Sequence, residues 1–186
     1  MIATTLNDIL KHDPCNQGGD PEDGGWAQLT AYLGKSEPDD EPLPLSTILE
    51  SNGIDDAMWA MCCLGPEHES WIRLMVCDMV EPALKYTDDE RAHNAVRVTR
   101  QYARGECSED ELSAASCAAW DAWTAAWATR AAWAARAAAR AASCAGWAGA
   151  AAGVAACDAA WANTQGGAWD AARKEQKAIF IQYVTR

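Results

Sequence analysis

Three histidines, His12, His68 and His93, are the side chains best suited to moving protons near neutral pH, and the sequence supplies none of them with a team. His68 stands between Glu67 and Glu69, either of which could orient an imidazole, but a glutamate-rich helix start accounts for the same residues. Eight cysteines offer a second chemistry. Cys15, Cys62, Cys63, Cys77, Cys107, Cys117, Cys144 and Cys157 nowhere adopt the CxxC spacing of a zinc ribbon or redox motif. They read as reduced, small apolar side chains, and no metal or other cofactor is expected. No GxSxG, P-loop or GxGxxG pattern occurs. The acid pairs Asp39-Asp40 and Asp88-Asp89 fall where loops and helix caps use carboxylates. The chain is expected to bind rather than to catalyse.

Tryptophan and arginine are what binding would use. There are ten Trp against one Phe. Trp120, Trp123, Trp127 and Arg130 step by three and four residues, and Arg136, Arg140, Ser143 and Trp147 repeat the rhythm, so each set shares a helix face. Two readings stand side by side. In an alanine-lined bundle, indoles supply the volume that alanine lacks. Alternatively Trp120, Trp123, Trp127, Arg130 and Arg136 edge a recognition surface, since Trp and Arg dominate binding hot spots.

Charge divides the chain into two zones. Met1 to Asp56 carries 12 acids against 2 bases, Ala57 to Leu112 carries 11 against 6, and Ser113 to Arg186 carries 4 against 7, within a net charge of -12. An acidic zone over 1–112, with loops at 13–25 and 35–44, therefore precedes a mildly basic Ala/Trp/Arg zone over 113–186. The acidity serves solubility, or it faces a partner; Asp39, Asp40, Glu41, Asp55 and Asp56 are the candidate contacts. Direct nucleic-acid binding is not expected of so acidic a chain. Arg130, Arg136 and Arg140 interrupt the longest apolar run, and the opening MIATTLNDILKHD has acids where a signal peptide needs bases, so a cytoplasmic, non-membrane protein is expected. Mean hydropathy is -0.26.

Elements to position these residues follow from periodicity and punctuation. Leu6, Ile9 and Leu10 predict a helix over Thr4 to His12. Trp26, Leu29 and Leu33 predict another ending at Gly34, and Leu45, Ile48 and Leu49 a third closed by Ser51-Asn52-Gly53. Asp55 or Asp56 is expected to cap an apolar, buried helix over Ala57 to Leu64, with Gly65-Pro66 turning the chain and Pro82 breaking the next helix. Thr87-Asp88-Asp89-Glu90 and Ser108-Glu109-Asp110-Glu111 fit the capping box, with Gly105 between the two helices they start. From Ser113 the alanine tract is helical almost regardless of context. Its paired alanines leave smooth faces where axes approach closely. A single rod to Ala162 is conceivable, but Gly146, Gly149 and Gly153 each cost about 1 kcal/mol relative to Ala, which predicts a turn among them. No strand survives. The expectation is one all-α domain, a bundle of about seven to nine helices with closely packed Ala/Trp-rich C-terminal members.

The strings LNDILKHDPC (Leu6 to Cys15), Gly25-Trp26, Leu33-Gly34-Lys35, Asp39-Asp40-Glu41-Pro42-Leu43, Ile48 to Gly53 and Asp56-Ala57-Met58-Trp59 resemble the opening of the immunity-protein-five-like family of bacterial and phage proteins. The Ala/Trp/Arg tract from Ala114 to Ala162 resembles that family's repetitive second half. The resemblance implies a non-enzymatic inhibitor that neutralises a protein partner by binding it: an immunity protein or antitoxin, or a phage-encoded inhibitor of a host defence complex such as a CRISPR effector. The acidic loops suit a partner with a basic, nucleic-acid-binding groove. The second class is a scaffold self-associating through its Ala/Trp helices, as a homodimer in the simplest case.

Overall fold

The structure, a computed structural model, describes residues 2–12, 24–125, 130–142, 155, 158–159, 161–162 and 169–185. It is an all-α bundle. After a two-residue strand β1 (Ala3–Thr4), the helices are α1 (Leu6–Lys11), α2 (Gly25–Leu33), α3 (Leu45–Asn52), α4 (Ile54–Trp59), α5 (Glu69–Val80), α6 (Glu90–Ala103), α7 (Glu109–Ala125), α8 (Arg130–Ala141) and α9 (Trp169–Val184). Three 3₁₀ turns, Ala60–Cys63, Pro66–His68 and Glu81–Tyr86, link α4 through α6. The predicted loop at 13–25 lies almost wholly outside the described residues.

Local chemistry sets most boundaries. Gly34 and Gly105 take φ of 65° and 73°, the left-handed conformation that ends α2 and follows α6. At α7 the capping box is reciprocal: Ser108 N donates to Glu111 Oε2 at 2.8 Å, and Glu111 N donates to Ser108 Oγ at 3.3 Å. Three expectations are corrected. The cap of α6 is Asp89, which accepts from Arg91 N at 3.0 Å, while Thr87 Oγ1 accepts from Asp89 N; its hydroxyl binds one residue too early for the box. Gly53 takes the cap position of α4, leaving Asp55 and Asp56 in the first turn, where the helix dipole still favours them. A strand exists: β1 pairs antiparallel with β2 (Leu43–Pro44), because prolines hold 42–44 extended and the chain start lies alongside. Ile2 also donates to Val184 O at 3.3 Å, tying the two ends of the chain.

The alanine tract is not one rod. α7 and α8 pack side by side and run antiparallel, as Ser116 Oγ donating to Ala139 O at 3.0 Å fixes. The turn expected among Gly146, Gly149 and Gly153 lies outside the described residues. Leu112, Ala115, Ala119 and Ala122 of α7 and Ala134, Ala137, Ala138 and Ala141 of α8 are buried, steps of three and four that make one face on each helix. This face joins the aliphatic core of the first zone in one hydrophobic cluster running from Leu6 to Val184. Arg73, 1% exposed, is the largest fully buried side chain. Its Nε and Nη2 reach Glu69 Oε1 at 2.9 and 2.7 Å, and its guanidinium lies 5.1 Å from the Tyr102 ring, linking α5 to α6.

Two stability predictions follow from this packing. Ala119→Leu should lower unfolding free energy by about 1–3 kcal/mol through overpacking, whereas Ala114→Leu on the exposed face should stay within about 0.5 kcal/mol, both read from urea midpoints. Glu69→Ala should cost about 3 kcal/mol by stranding the buried Arg73 charge, and Arg73→Met/Glu69→Leu should cost less than that single change in the same assay.

Candidate functional site

On the flank of the α7–α8 pair, two arginines one turn apart on α8 close on a single carboxylate. Arg136 Nε and Arg140 Nε lie 3.2 and 2.9 Å from Asp158 Oδ2. The Asp158 side chain is 5% exposed and those of the arginines 25% and 26%. Both Nε–Oδ2 approaches fall outside hydrogen-bond alignment, so the attraction is mainly ionic. Each guanidinium also covers an indole: Arg136 lies 5.1 Å from the Trp133 ring centroid and Arg140 5.4 Å from that of Trp120. Trp133 stacks on Trp161 at 6.0 Å with planes 27° apart, and Trp161 is 48% exposed. Helical residues Ala155, Ala159 and Ala162 are buried, which turns Asp158 inward beside them.

Electrostatically this is one carboxylate against two guanidiniums, a local excess of positive charge on an acidic protein. Burial pushes the Asp158 carboxyl above its ordinary range, and the charges of Arg136 and Arg140 pull back without cancelling the burial. The constellation can present flat cationic and aromatic surface to an acidic or aromatic group. Among the described residues it includes no nucleophile.

Of the residues predicted for this surface, Trp120 and Arg136 are in the cluster. The side chains of Trp123 and Arg130, and Trp127 as a whole, lie outside what is described. Sequence reasoning missed Asp158 and left Trp161 aside. A signal was present: Asp158 is the one acid between Asp121 and Asp170, in a tract whose bases include Arg136 and Arg140.

The acidic candidates divide by what holds them. Lys35 Nζ sits 2.6 Å from both Asp39 Oδ2 and Glu41 Oε2, and Asp39 Oδ1 accepts from Glu41 N at 3.1 Å. The Lys35 ammonium holds the Asp39 carboxyl below its usual range, so Asp39 knots its own loop. Asn7 donates to Asp40 Oδ1 at 2.8 Å, fastening that loop to α1. Asp56 Oδ2 accepts from Asn52 at 2.8 Å and stands where a Cβ on residue 25 would come within 2.4 Å, so a larger residue at 25 would displace that carboxylate. Asp55 pairs with Arg173 of α9 yet remains 75% exposed, Glu41 is 76% exposed, and Asp40 is exposed. Asp40, Glu41 and Asp55 thus face solvent, while Asp39 and Asp56 are structural.

Two of the histidines have partners within the fold. His68 Nδ1 accepts from Trp71 Nε1 at 3.0 Å, and His93 Nε2 meets Thr87 O at 2.8 Å, beside an open depression of about 460 Å³ whose charged lining includes Glu90, Arg91 and Arg97. Among the described residues no three His, Cys, Asp or Glu side chains converge as metal ligands, and no helix is long and apolar enough to cross a membrane. No protein-family model, curated protein or solved structure matches the chain.

The cluster makes a signed prediction. The Asp158 carboxyl carbon should titrate in NMR above the ordinary 3.8, and Arg136→Leu or Arg140→Leu should each move the midpoint further up by removing a charge that favours the carboxylate. In the window between 3.8 and that raised value the folded chain binds the extra proton, so this group's contribution to stability declines as pH rises through it.

Proposed function

We propose that the chain is a non-enzymatic inhibitory binding protein of bacterial or phage conflict, acting in the cytoplasm. In this reading it blocks a partner protein by offering carboxylates to a basic surface that nucleic acid otherwise occupies. The observation that carries the reading is that Glu41 and Asp55 stay three-quarters exposed, with Asp40 beside Glu41 on the same loop, although each has a partner within the fold. Carboxylates held in place by internal partners meet a cationic groove with less ordering cost than free side chains. The resemblance of the N-terminal strings to immunity-protein-five-like proteins points the same way, to an antitoxin or to an inhibitor of a defence complex such as a CRISPR effector.

A second reading, self-association, has one observation in its favour: the half-exposed Trp161 on its Trp133 stack. The described alanine faces of α7 and α8 are already buried against each other within the chain. Light scattering separates the readings, because self-association through Trp161 requires an oligomer that Trp161→Ala dissolves.

Association with a basic, nucleic-acid-binding effector should slow at least tenfold between roughly 0.05 and 0.5 M NaCl. Asp40→Asn/Glu41→Gln/Asp55→Asn should slow it comparably at low salt while far-ultraviolet circular dichroism stays unchanged. Stopped-flow rates indifferent to both salt and substitution would remove the acidic surface from the mechanism.

A further inference from the structure

Cys62 and Cys63 form the one contact between thiols among the described residues, with Sγ atoms 3.9 Å apart. They close the 3₁₀ turn Ala60–Cys63, which follows α4 and packs on α1. Adjacent residues of a helix ordinarily point their side chains apart. Here the helix stops, and Leu64 is extended at φ -85° and ψ 147°, so Cys63 is at the last helical position. Both sulfurs are half-buried, neither sealed from solvent nor free to rotate into it.

The other described cysteines lack this arrangement. Cys77 is buried and donates to Val96 O at 3.7 Å, and burial pushes its thiol up to about 12. Cys107 donates to Val98 O at 3.6 Å and is also raised by burial. Cys117 is exposed, with no neighbouring thiol among the described residues. In the adjacent pair the mutual hydrogen bond acts unequally: it draws the Cys62 thiol down and pushes the Cys63 thiol up. Either sulfur can donate in this contact, and only one of the two can ionise while the other holds its proton. Asp8 on α1 also disfavours charge on Cys63, whereas the buried Thr4 hydroxyl beside it, which makes no hydrogen bond in the structure, acts weakly the other way.

We propose that Cys62–Cys63 is an oxidative modification site, in which the Cys62 sulfur attacks hydrogen peroxide and Cys63 resolves the product into a disulfide between neighbours. The Cys62 sulfur takes one oxygen of the O–O bond, giving a sulfenic acid and releasing hydroxide that is protonated to water. The Cys63 sulfur then displaces that oxygen: an S–S bond forms, the S–O bond breaks, and the oxygen leaves with the Cys63 proton as a second water. Two thiols lose two electrons and the peroxide gains them. Consecutive Cα atoms are about 3.8 Å apart, below the usual disulfide range, so the product is strained and readily reduced, as reversible regulatory disulfides are. Because the turn joins α4, which carries Asp55, to the surface of α1, the modification sits where closure would be felt by the acidic zone.

The test treats the full chain with hydrogen peroxide. Intact-mass spectrometry should show loss of two hydrogens without dimer formation, peptide mapping should place the bond at 62–63, and dithiothreitol should restore the starting mass. Cys63→Ser should accumulate a sulfenic acid on Cys62 that dimedone traps, and Cys62→Ser should slow peroxide consumption about tenfold. Phenylarsine oxide, which needs two adjacent sulfurs, should protect wild type and neither variant. Oxidation that begins at Cys117 or another cysteine, or a Cys62→Ser rate equal to wild type, would overturn the assignment. Since none of these readouts involves a partner, they stand or fall apart from the inhibitor reading.

Discussion

The contact on which the C-terminal half depends is methyl against methyl. With alanine at most of the buried positions of α7 and α8, little side-chain volume stands between the two helices. Bulk therefore moves to the edges. Trp120 and Trp133 flank the seam half-buried, and because a flat ring on a helix edge leaves one face uncovered, the arginines of α8 lie over them. A helix pair made of small residues buries little area per residue, so cohesion comes from close dispersion contact and from alanine's low entropic cost of becoming helical. That bargain leaves the aromatic and cationic groups at the margin, where the candidate surface is found.

Charge placement follows a second constraint: a charge withdrawn from water needs a partner. Arg73 has Glu69 and the face of Tyr102; Arg100 bridges Asp78 and Glu81, each at 2.7 Å, while Tyr183 donates to Asp78 at 2.6 Å. These ties join α5 to α6 and α9. Asp158 differs in having two cationic partners and still a raised carboxyl pKa, which marks how dry its position is. The molecule thus shows carboxylates at one set of loops and a guanidinium–indole cluster on the α8 flank, and the two can engage chemically opposite surfaces.

How much of this was legible in the sequence depended on the range of the cause. Helix ends set by a single residue's conformation, at Gly34 and Gly105, and by a box closed within four residues, at Ser108, follow from neighbours alone. The all-α class follows from periodicity in the same way. What escaped was decided across space. Pro82 does end α5, at Val80, and the chain does turn at Pro66, but the 3₁₀ form of both stretches was not foreseen. The pairing of Ala3–Thr4 with Leu43–Pro44 needed two segments forty residues apart, and no propensity marks so short a ladder. Asp158 was visible as an isolated acid, but its arginine partners lie on another helix. Asp39 and Asp56 read as free surface because Lys35 and Asn52, which hold them, look like ordinary surface polar residues.

The cysteines show most plainly why residue type underdetermines chemistry. Read by composition, the eight cysteines look like small apolar filler, and for Cys77 that description fits: it is buried, bonded to a carbonyl and strongly disinclined to ionise. Cys62 and Cys63 are the same residue a few turns away, but each has the other's sulfur where Cys77 has a carbonyl. A carbonyl can only accept, so it fixes the thiol in its neutral form; a second thiol can donate, so it favours a thiolate on one sulfur at the expense of the other. The proposed oxidation rests on that adjacency at a helix end, which Cys77 lacks.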